Sequence, residues 1–162
     1  MPEQKGIMKI YFTYAGNDEF AKAVAHTLRN FGHDILTGHL VDAQLAEKEK
    51  MLSRFWRFER NIRMIKECDA VVVLLAASGK NNNSGQDTRS EGYFETGFEV
   101  GHALAAGKAV YILYEEDSEK EVSVMVSGNT NPNCTKVPYA NEEDLKQFLY
   151  DNFRVTVVTK IQ

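Results

Sequence analysis

The sequence has few of the features that would mark a special class of protein. It contains two cysteines and three prolines in 162 residues. Cys68 and Cys134 lie far apart and show neither metal-ligand spacing nor a disulfide framework. No apolar run approaches the ~20 residues that cross a membrane, and the segment from Met1 to Gly6 is too short and polar for a signal peptide. We therefore expect a cytoplasmic protein with reduced thiols, no bound metal and no membrane contact.

The chain also lacks an excess of positive charge. Its 19 Lys and Arg residues are outnumbered by 23 Asp and Glu residues, which gives a net charge of −4. Nucleic-acid-binding proteins usually concentrate basic residues on one face, so the composition argues against a nucleic-acid partner. A small anionic molecule would need only one or two well-placed donors, so a small-molecule partner stays compatible with this charge.

What is present is the composition of an ordinary globular domain. Hydrophobic residues make up 43% of the chain and charged residues 26%, which is near the average for globular proteins. A chain of this length buries roughly 68–70% of its unfolded surface in one core. We see no internal repeat and no linker, so residues 1–162 are predicted to form a single domain.

Apolar runs alternate with helical periodicities along the chain. Strands are predicted at Met8–Tyr14, Asp34–Leu36, Ala70–Ala77, Ala109–Tyr114 and Val155–Val158. Helices are predicted from Asp18 to Gly32, from Gln44 to Glu67, from Tyr93 to Ala106 and from Glu142 to Tyr150. Strands that alternate with helices favour right-handed crossovers. The predicted fold class is α/β, a doubly wound, flavodoxin-like domain with a mainly parallel five-stranded sheet in the order 2-1-3-4-5.

Three local features complete the predicted architecture. The second helix has an apolar stripe at Leu52, Phe55, Trp56, Ile62 and Ile65, whereas Arg54, Arg57, Arg60 and Arg63 lie off that stripe and are expected to form a solvated face. His26 and His33 are expected at the surface or at a helix cap, and Asp18 is a candidate N-cap. Ser78–Ser90 is rich in Gly, Asn and Ser and is predicted to be a long loop of the kind that often serves as a lid.

The predicted working site lies in the stretch from Glu91 to Lys108. Open α/β sheets bind ligands beyond the carboxyl ends of their strands, and this stretch follows a central strand. Glu95 and Glu99 are four residues apart and therefore share a helix face. A carboxylate among the apolar residues around Glu99 needs partners or a raised pKa, which suits a nucleophile or an acid–base group. Alternatively, Glu99 organises a local hydrogen-bond network or lies at a subunit contact.

A family resemblance rests on four segments. The run GFEVGHALAAGKAV (Gly97–Val110) resembles the signature of the nucleoside 2-deoxyribosyltransferases and the related deoxynucleoside 5'-monophosphate N-glycosidases. The resemblance extends to KIYFTYAG (Lys9–Gly16), to LTGHLVDA (Leu36–Ala43) and to Cys68-Asp69-Ala70. It covers the first two-thirds of the chain and implies cleavage or transfer at the N-glycosidic bond of a nucleoside or nucleotide, with no cofactor.

The resemblance also implies catalytic roles. It places the nucleophile at Glu99, the tyrosine that orients this carboxylate at Tyr11, and a glycosyl-Glu99 intermediate that water or a second base resolves. The family's Asp that works on the departing base has its counterpart in Asn61, whose amide can hydrogen-bond a base edge but cannot exchange a proton as Asp does. Substrate-binding residues are predicted at the two segments that face the cleft: Thr13, Tyr14, Gly16, Glu95, Gly97 and His102.

Two matters are left open by the resemblance. The segment from Thr13 to Asn17 lacks the Arg of the family's phosphate loop, so the need for a 5'-phosphate is undecided. His102 is expected to contact either the substrate or a neighbouring subunit. Family members complete their sites across subunit contacts, so a homo-oligomer, a dimer or larger, is expected, with the helix containing Phe98 as one wall.

Two other functions compete with this prediction. Tyr11–Gly32 is similar to the strand-turn-helix opening of TIR domains, in which case Glu99 or Glu95 acts on the nicotinamide ribose of NAD. The second alternative is a non-catalytic nucleotide-binding or interaction module, with Asn61 marking lost chemistry. Doubly wound sheets host many functions, so the fold alone does not decide between them.

Overall fold

The structure is a computed structural model, and it describes residues 6–38, 54–75, 89–117 and 128–155 of the chain. The predicted loop at Ser78–Ser90 lies outside these residues except for its last two positions. Residues 39–43, which carry part of the family resemblance, also lie outside them. The fold and the site are therefore built from the four described stretches.

The described residues form a parallel sheet with helices on both faces. The strands are β1 (Lys9–Ala15), β2 (Asp34–Leu36), β3 (Ala70–Leu75), β4 (Ala109–Glu115) and β5 (Cys134–Tyr139). The helices are α1 (Asp18–Asn30), α2 (Arg54–Glu67), α3 (Arg89–Ala105) and α4 (Glu142–Phe153). Every strand pair is parallel, and the order is β2-β1-β3-β4-β5. The predicted fold class and strand order are confirmed.

The fifth strand is not where the sequence pattern placed it. The structure forms β5 from Cys134–Tyr139, which pairs with β4 beginning at Val110. In the predicted strand at Val155–Val158, Val155 is not in a strand and the remaining residues lie outside the described ranges. Helix boundaries also shift, since α3 begins at Arg89 rather than Tyr93.

Each face of the sheet has its own apolar core. One core is formed with α1 and α4 and contains Phe12, whereas the other is formed with α2 and α3 and contains Tyr11. This division follows from the period of two along a strand, which sends successive side chains to opposite faces. Both Tyr11 and Phe12 are fully buried, so β1 lies at the centre of the two cores.

The turn after β1 has a defined geometry. Gly16 has φ of 112°, a conformation that side-chain-bearing residues rarely adopt. Asn17 then caps α1, because its side-chain oxygen accepts hydrogen bonds from the backbone N–H groups of Glu19 and Phe20. The cap is thus Asn17, whereas Asp18, the sequence-based candidate, is the first residue of the helix.

The apolar stripe predicted on α2 is only partly buried. Ile65 is fully buried, but Phe55 and Trp56 are 77% and 51% exposed. Hydrophobic periodicity marks an apolar face without showing whether a core or another molecule covers it. The outer part of α2 therefore presents aromatic side chains at the surface.

His33 joins the start of β1 to the end of α4. It is 4% exposed, so the expectation of a surface or capping residue is wrong. Its Nδ1 accepts a hydrogen bond from the Met8 N–H at 3.1 Å. Because Nδ1 is the acceptor, Nε2 carries the proton and donates to the Phe153 carbonyl at 2.5 Å. One imidazole ring thereby satisfies two main-chain groups that are distant in sequence.

We expect His33→Leu to lower the free energy of unfolding by about 2–4 kcal/mol, because it leaves one backbone donor and one acceptor without their partner. Urea unfolding followed by far-UV circular dichroism measures the change. His26→Leu is the matched control, since His26 is exposed on α1, and we expect it to change stability by less than about 0.5 kcal/mol. Equal effects of the two substitutions would contradict the structural role of His33.

Candidate active site

A buried carboxylate is the central feature of the site. Glu99 lies on α3 and is only 5% exposed. Its neighbours Val100 and Ala103 are buried in the core between α3 and the sheet. Moving an ionised carboxylate out of water is costly unless it is paired or hydrogen-bonded. The helix therefore keeps Glu99 only because neighbouring elements supply donors.

Tyr11 supplies the first of these donors. Its hydroxyl lies 3.0 Å from Glu99 Oε1 and donates a hydrogen bond to it. The tyrosine is fully buried on the β1 face that α3 covers. A phenol donating to a carboxylate favours the ionised form, which is the form that the predicted nucleophile requires.

Asn61 on α2 completes the cluster. Its Nδ2 lies 3.5 Å from the same Glu99 Oε1 atom. The side chain of Arg60, the preceding residue, donates to Asn61 Oδ1 through Nε at 3.2 Å and Nη2 at 3.0 Å. The structure thus brings the three predicted catalytic residues together from β1, α2 and α3.

Arg60 was not among the predicted site residues. Sequence periodicity placed it on a solvated face, but its side chain is half-buried and contacts Asn61. Gly38, which follows β2 by two positions, is a second unpredicted member, since a Cβ there would lie 2.3 Å from Asn61 Oδ1. The sequence signals available were the adjacency of Arg60 to Asn61 and the place of Gly38 in the LTGHLVDA segment of the family resemblance.

The predicted substrate-binding residues of β1 lie on different faces of the sheet. Thr13 is fully buried and lies two residues after Tyr11, hence on the same face. Tyr14 packs against the opposite core and stacks on Phe12, with ring centroids 6.1 Å apart. Burial, followed by a hydrogen bond to Asp18, raises the pKa of Tyr14. The period of two therefore separates Tyr14 from Glu99.

The remaining predicted residues surround Glu99 less closely. Gly16 lies in the exposed turn after β1, and Glu95 and Gly97 are exposed on α3. His102 is half-buried, and its Nε2 has no hydrogen-bond partner within the described stretches. Thr96, which is 3% exposed, likewise has a hydroxyl without such a partner. The positions three residues before and after Glu99 therefore both carry buried polar atoms without a hydrogen-bond partner among the described residues.

Two segments of the family resemblance have structural roles. Lys108 Nζ donates to the backbone carbonyls of Lys66 and Cys68, each at 2.9 Å, and so caps the end of α2. Asp69 accepts from the Lys9 N–H through its carboxylate at 2.8 Å and donates from its own N–H to the Lys9 carbonyl. These contacts fix the starts of β1 and β3 relative to α2.

The cysteines and acidic groups of the described residues show no further chemistry. Burial raises the pKa of the Cys68 thiol, which disfavours the thiolate that nucleophilic attack requires. Within residues 6–38, 54–75, 89–117 and 128–155 no group of three His, Cys, Asp or Glu side chains is arranged to hold a metal ion. None of the helices in these ranges is both long and apolar enough to span a membrane.

The fold is a doubly wound α/β sheet, and a buried carboxylate, Glu99, lies on the helix that packs over it. The model of the family described as "Nucleoside 2-deoxyribosyltransferase" matches residues 10–133, well over half of the chain. The chain belongs to the nucleoside 2-deoxyribosyltransferase family.

Relatives agree with this assignment, and two solved structures share the fold. A relative from Nematostella vectensis, provisionally named 2'-deoxynucleoside 5'-phosphate N-hydrolase 1, is 28% identical over 90% of this chain and 93% of its own. The 5-hydroxymethyl-dUMP N-hydrolase of Mus musculus is 24% identical over 80% of this chain and 68% of its own. The structure of a CMP N-glycosidase from Clostridium botulinum matches with a TM-score of 0.58 at 18% identity, over 87% of this chain and 97% of its own. The structure of a 2-deoxyribosyltransferase from Bacillus psychrosaccharolyticus matches with a TM-score of 0.55 at 18% identity, over 92% of this chain and 99% of its own.

The predicted enzymatic activity is confirmed at the level of the reaction type. The protein is an enzyme that cleaves or transfers at an N-glycosidic bond. The family match favours this prediction over the TIR-like alternative, which shares the bond type but not the family.

We expect Tyr11→Phe to lower kcat by about 10- to 100-fold, because a hydrogen bond to a charged group contributes about 1.5–3 kcal/mol. The acidic limb of the pH–rate profile should move to higher pH, since the ionised carboxylate loses a donor. Steady-state kinetics across pH measure both effects. Tyr111→Phe removes a hydroxyl from the opposite face of the sheet and should leave the profile unchanged. An unshifted acidic limb in Tyr11→Phe would refute its role.

Proposed function

We propose that the protein cleaves an N-glycosidic bond through a covalent glycosyl ester on Glu99. The observation that carries this proposal is the burial of the Glu99 carboxylate beneath the Tyr11 hydroxyl, which donates to Oε1 at 3.0 Å. Such a carboxylate is held ionised and in one orientation, as a nucleophile must be. The substrate class is a nucleoside or nucleotide, in line with the names of the relatives.

The first chemical step forms a bond between a Glu99 oxygen and the anomeric carbon of the sugar. The carbon–nitrogen bond to the base breaks, and its electron pair leaves with the base, which takes a proton from solvent water. Positive charge develops on the sugar in an oxocarbenium-like transition state. The negative charge of Glu99, placed beside that carbon, stabilises the developing charge at low cost of reorganisation.

The second step reverses the first with a different partner. The oxygen of water, or the nitrogen of a second base, attacks the anomeric carbon and gives up a proton to solvent. The bond between that carbon and the Glu99 oxygen breaks, which releases the carboxylate. Water gives a hydrolase, and a base gives a transferase. The relatives named above include both N-hydrolases and a transferase, so an acceptor test is part of the experiment.

Base release should occur with wild type and fall by at least about 1,000-fold in Glu99→Gln, because the nucleophile is lost while the shape is kept. A panel of deoxynucleosides, their 5'-monophosphates, ribonucleotides and NAD, with and without an added free base, is followed by chromatography. Exchange of the added base into product indicates a transferase. NAD cleavage alone would revive the TIR-like alternative.

The companion variant for this experiment is Glu95→Gln, which removes the exposed carboxylate one turn earlier on α3. We expect it to lower the rate by less than about tenfold. Mass spectrometry of acid-quenched wild type should show a sugar adduct that is absent from Glu99→Gln. Turnover without any adduct, or equal losses in the two variants, would contradict the Glu99 mechanism. Binding without turnover would support the non-catalytic module instead.

We also propose that a second copy of the chain covers an aromatic patch beside the site. The patch comprises Phe55, Trp56 and Phe58 of α2 with Phe98 of α3, which are 48–77% exposed. The rings of Phe58 and Phe98 lie 6.0 Å apart, so the patch bridges both helices. Clustered exposed aromatics are typical of interface centres. Because Phe98 precedes Glu99, a partner here would lie close to the cleft.

Light scattering should show a dimer or larger assembly for wild type and a monomer for Phe98→Glu, because a buried charge without a partner opposes association. Tyr150→Glu is the control, since Tyr150 is also a large exposed side chain but lies on α4, across the sheet. A wild-type monomer at micromolar concentration would refute the proposal.

Two further proposals concern the whole chain. We place the protein in the cytoplasm, which its two free cysteines and net negative charge support. We also treat residues 1–162 as one domain, since both apolar cores share the same sheet.

A further inference from the structure

Arg60 controls the environment of the Asn61 amide. Two of its N–H groups, Nε and Nη2, point at the single oxygen Asn61 Oδ1, at 3.2 and 3.0 Å. A guanidinium has donors and no acceptor, so only the oxygen end of the amide can face it. The NH₂ end must then face the other way, towards Glu99 Oε1 at 3.5 Å.

The orientation of this amide has opposite effects on Glu99. With Nδ2 towards Glu99, the amide is a second donor to the oxygen that Tyr11 already contacts. Rotated by half a turn, the amide would place Oδ1 beside the carboxylate, and two acceptors would repel each other. The contribution of Asn61 therefore depends on what fixes its rotamer, and an asparagine alone has no preference between the two orientations.

Gly38 closes the other side of the pair. A Cβ at this position would lie 2.3 Å from Asn61 Oδ1 and 2.7 Å from Arg60 Nη2. The backbone after β2 thus packs directly on the amide and guanidinium groups. The glycine is required here for space, because any side chain would displace the two groups. The amide oxygen consequently has both the Gly38 backbone and the guanidinium as close neighbours.

Trp56 supports the guanidinium from its outer side. The Arg60 guanidinium carbon lies 5.2 Å from the centre of the Trp56 ring, one helical turn earlier on α2. A planar guanidinium can stack on a ring and donate two N–H groups in its own plane at once, which an ammonium group cannot. The contacts of Arg60 therefore require arginine itself rather than a positive charge alone.

We propose that Arg60 is a positioning residue that sets the orientation of the Asn61 amide, so that Asn61 serves Glu99 as a donor. The inference rests on the proposed function, because it assigns Glu99 as the group that benefits. It also limits Asn61 to donating hydrogen bonds, since its acceptor atom is taken by Arg60. In this chain the pair Arg60–Asn61 thus supports an ionised nucleophile without a proton-carrying acid at position 61.

The first test is kinetic. Arg60→Ala should lower kcat about tenfold with KM changed less than about twofold, because it weakens support of the nucleophile rather than binding. The acidic limb of the pH–rate profile should move to higher pH, as the ionised form loses a donor. Arg60→Lys should behave like Arg60→Ala, although it keeps the charge. Arg63→Ala is the matched control, an exposed arginine of the same helix, and should match wild type.

The second test does not depend on turnover. In ¹⁵N-labelled protein, the Asn61 side-chain NH₂ signals are assigned by their loss in Asn61→Ala, and their shifts are followed across pH. In wild type these chemical shifts should change with pH as the Glu99 carboxyl titrates, and the change should be absent from Glu99→Gln. In Arg60→Lys, whose folding is checked by thermal unfolding, that response should be lost while Arg63→Ala retains it.

The outcomes separate this inference from the proposed function. An Asn61 response that survives in Arg60→Lys, or a rescued wild-type pH profile in that variant, would overturn the positioning role and leave Glu99 catalysis standing. A response lost with Arg60, in a protein that releases no base from any substrate, would support the positioning role and defeat the proposed function.

Discussion

The hydrogen bond from Tyr11 to Glu99 is the interaction on which the site depends. Glu99 is a carboxylate on an otherwise apolar helix, and leaving it ionised there would cost several kcal/mol without donors. Tyr11 can meet it because β1 lies inside the sheet, between β2 and β3, and directs this residue towards α3. The position of α3 over β1, set by the order of the strands, is therefore what brings the Tyr11 hydroxyl to Glu99.

Much of the fold could be predicted because its central strands are buried on both faces. β3 is a continuous apolar run, as expected of a strand covered by helices on each side. The edge strand β5 was missed because it carries Lys136 and Pro138 and is only partly buried. An edge strand can lack a backbone N–H at some positions and need not be apolar throughout. Val155–Val158 therefore showed a stronger β-strand pattern in the sequence than the segment that forms β5.

A site residue could be predicted where its polarity differs from that of the residues around it in the sequence, and not where its polarity matches theirs. Glu99 stands out because a charge on an apolar helix needs a reason, and the family resemblance supplied the role of Tyr11. Arg60 did not stand out, because an arginine off the apolar stripe of a helix is ordinary. Tyr14 was placed at the cleft by its position at the strand end. Side chains alternate between the two faces of β1, however, and Tyr14 points to the face opposite Tyr11. Partners and faces are set by tertiary contacts, which a periodicity does not encode.

The stacking of Trp56 on Arg60 has a practical consequence. This tryptophan is the only one in the chain. It is half-exposed, and the guanidinium that it contacts also donates a hydrogen bond to Asn61. Indole emission depends on the polarity and charge around the ring, so the protein carries an intrinsic optical reporter beside the Arg60–Asn61 pair. Ligand entry that disturbs the guanidinium is thereby readable as a change in emission from the unlabelled protein.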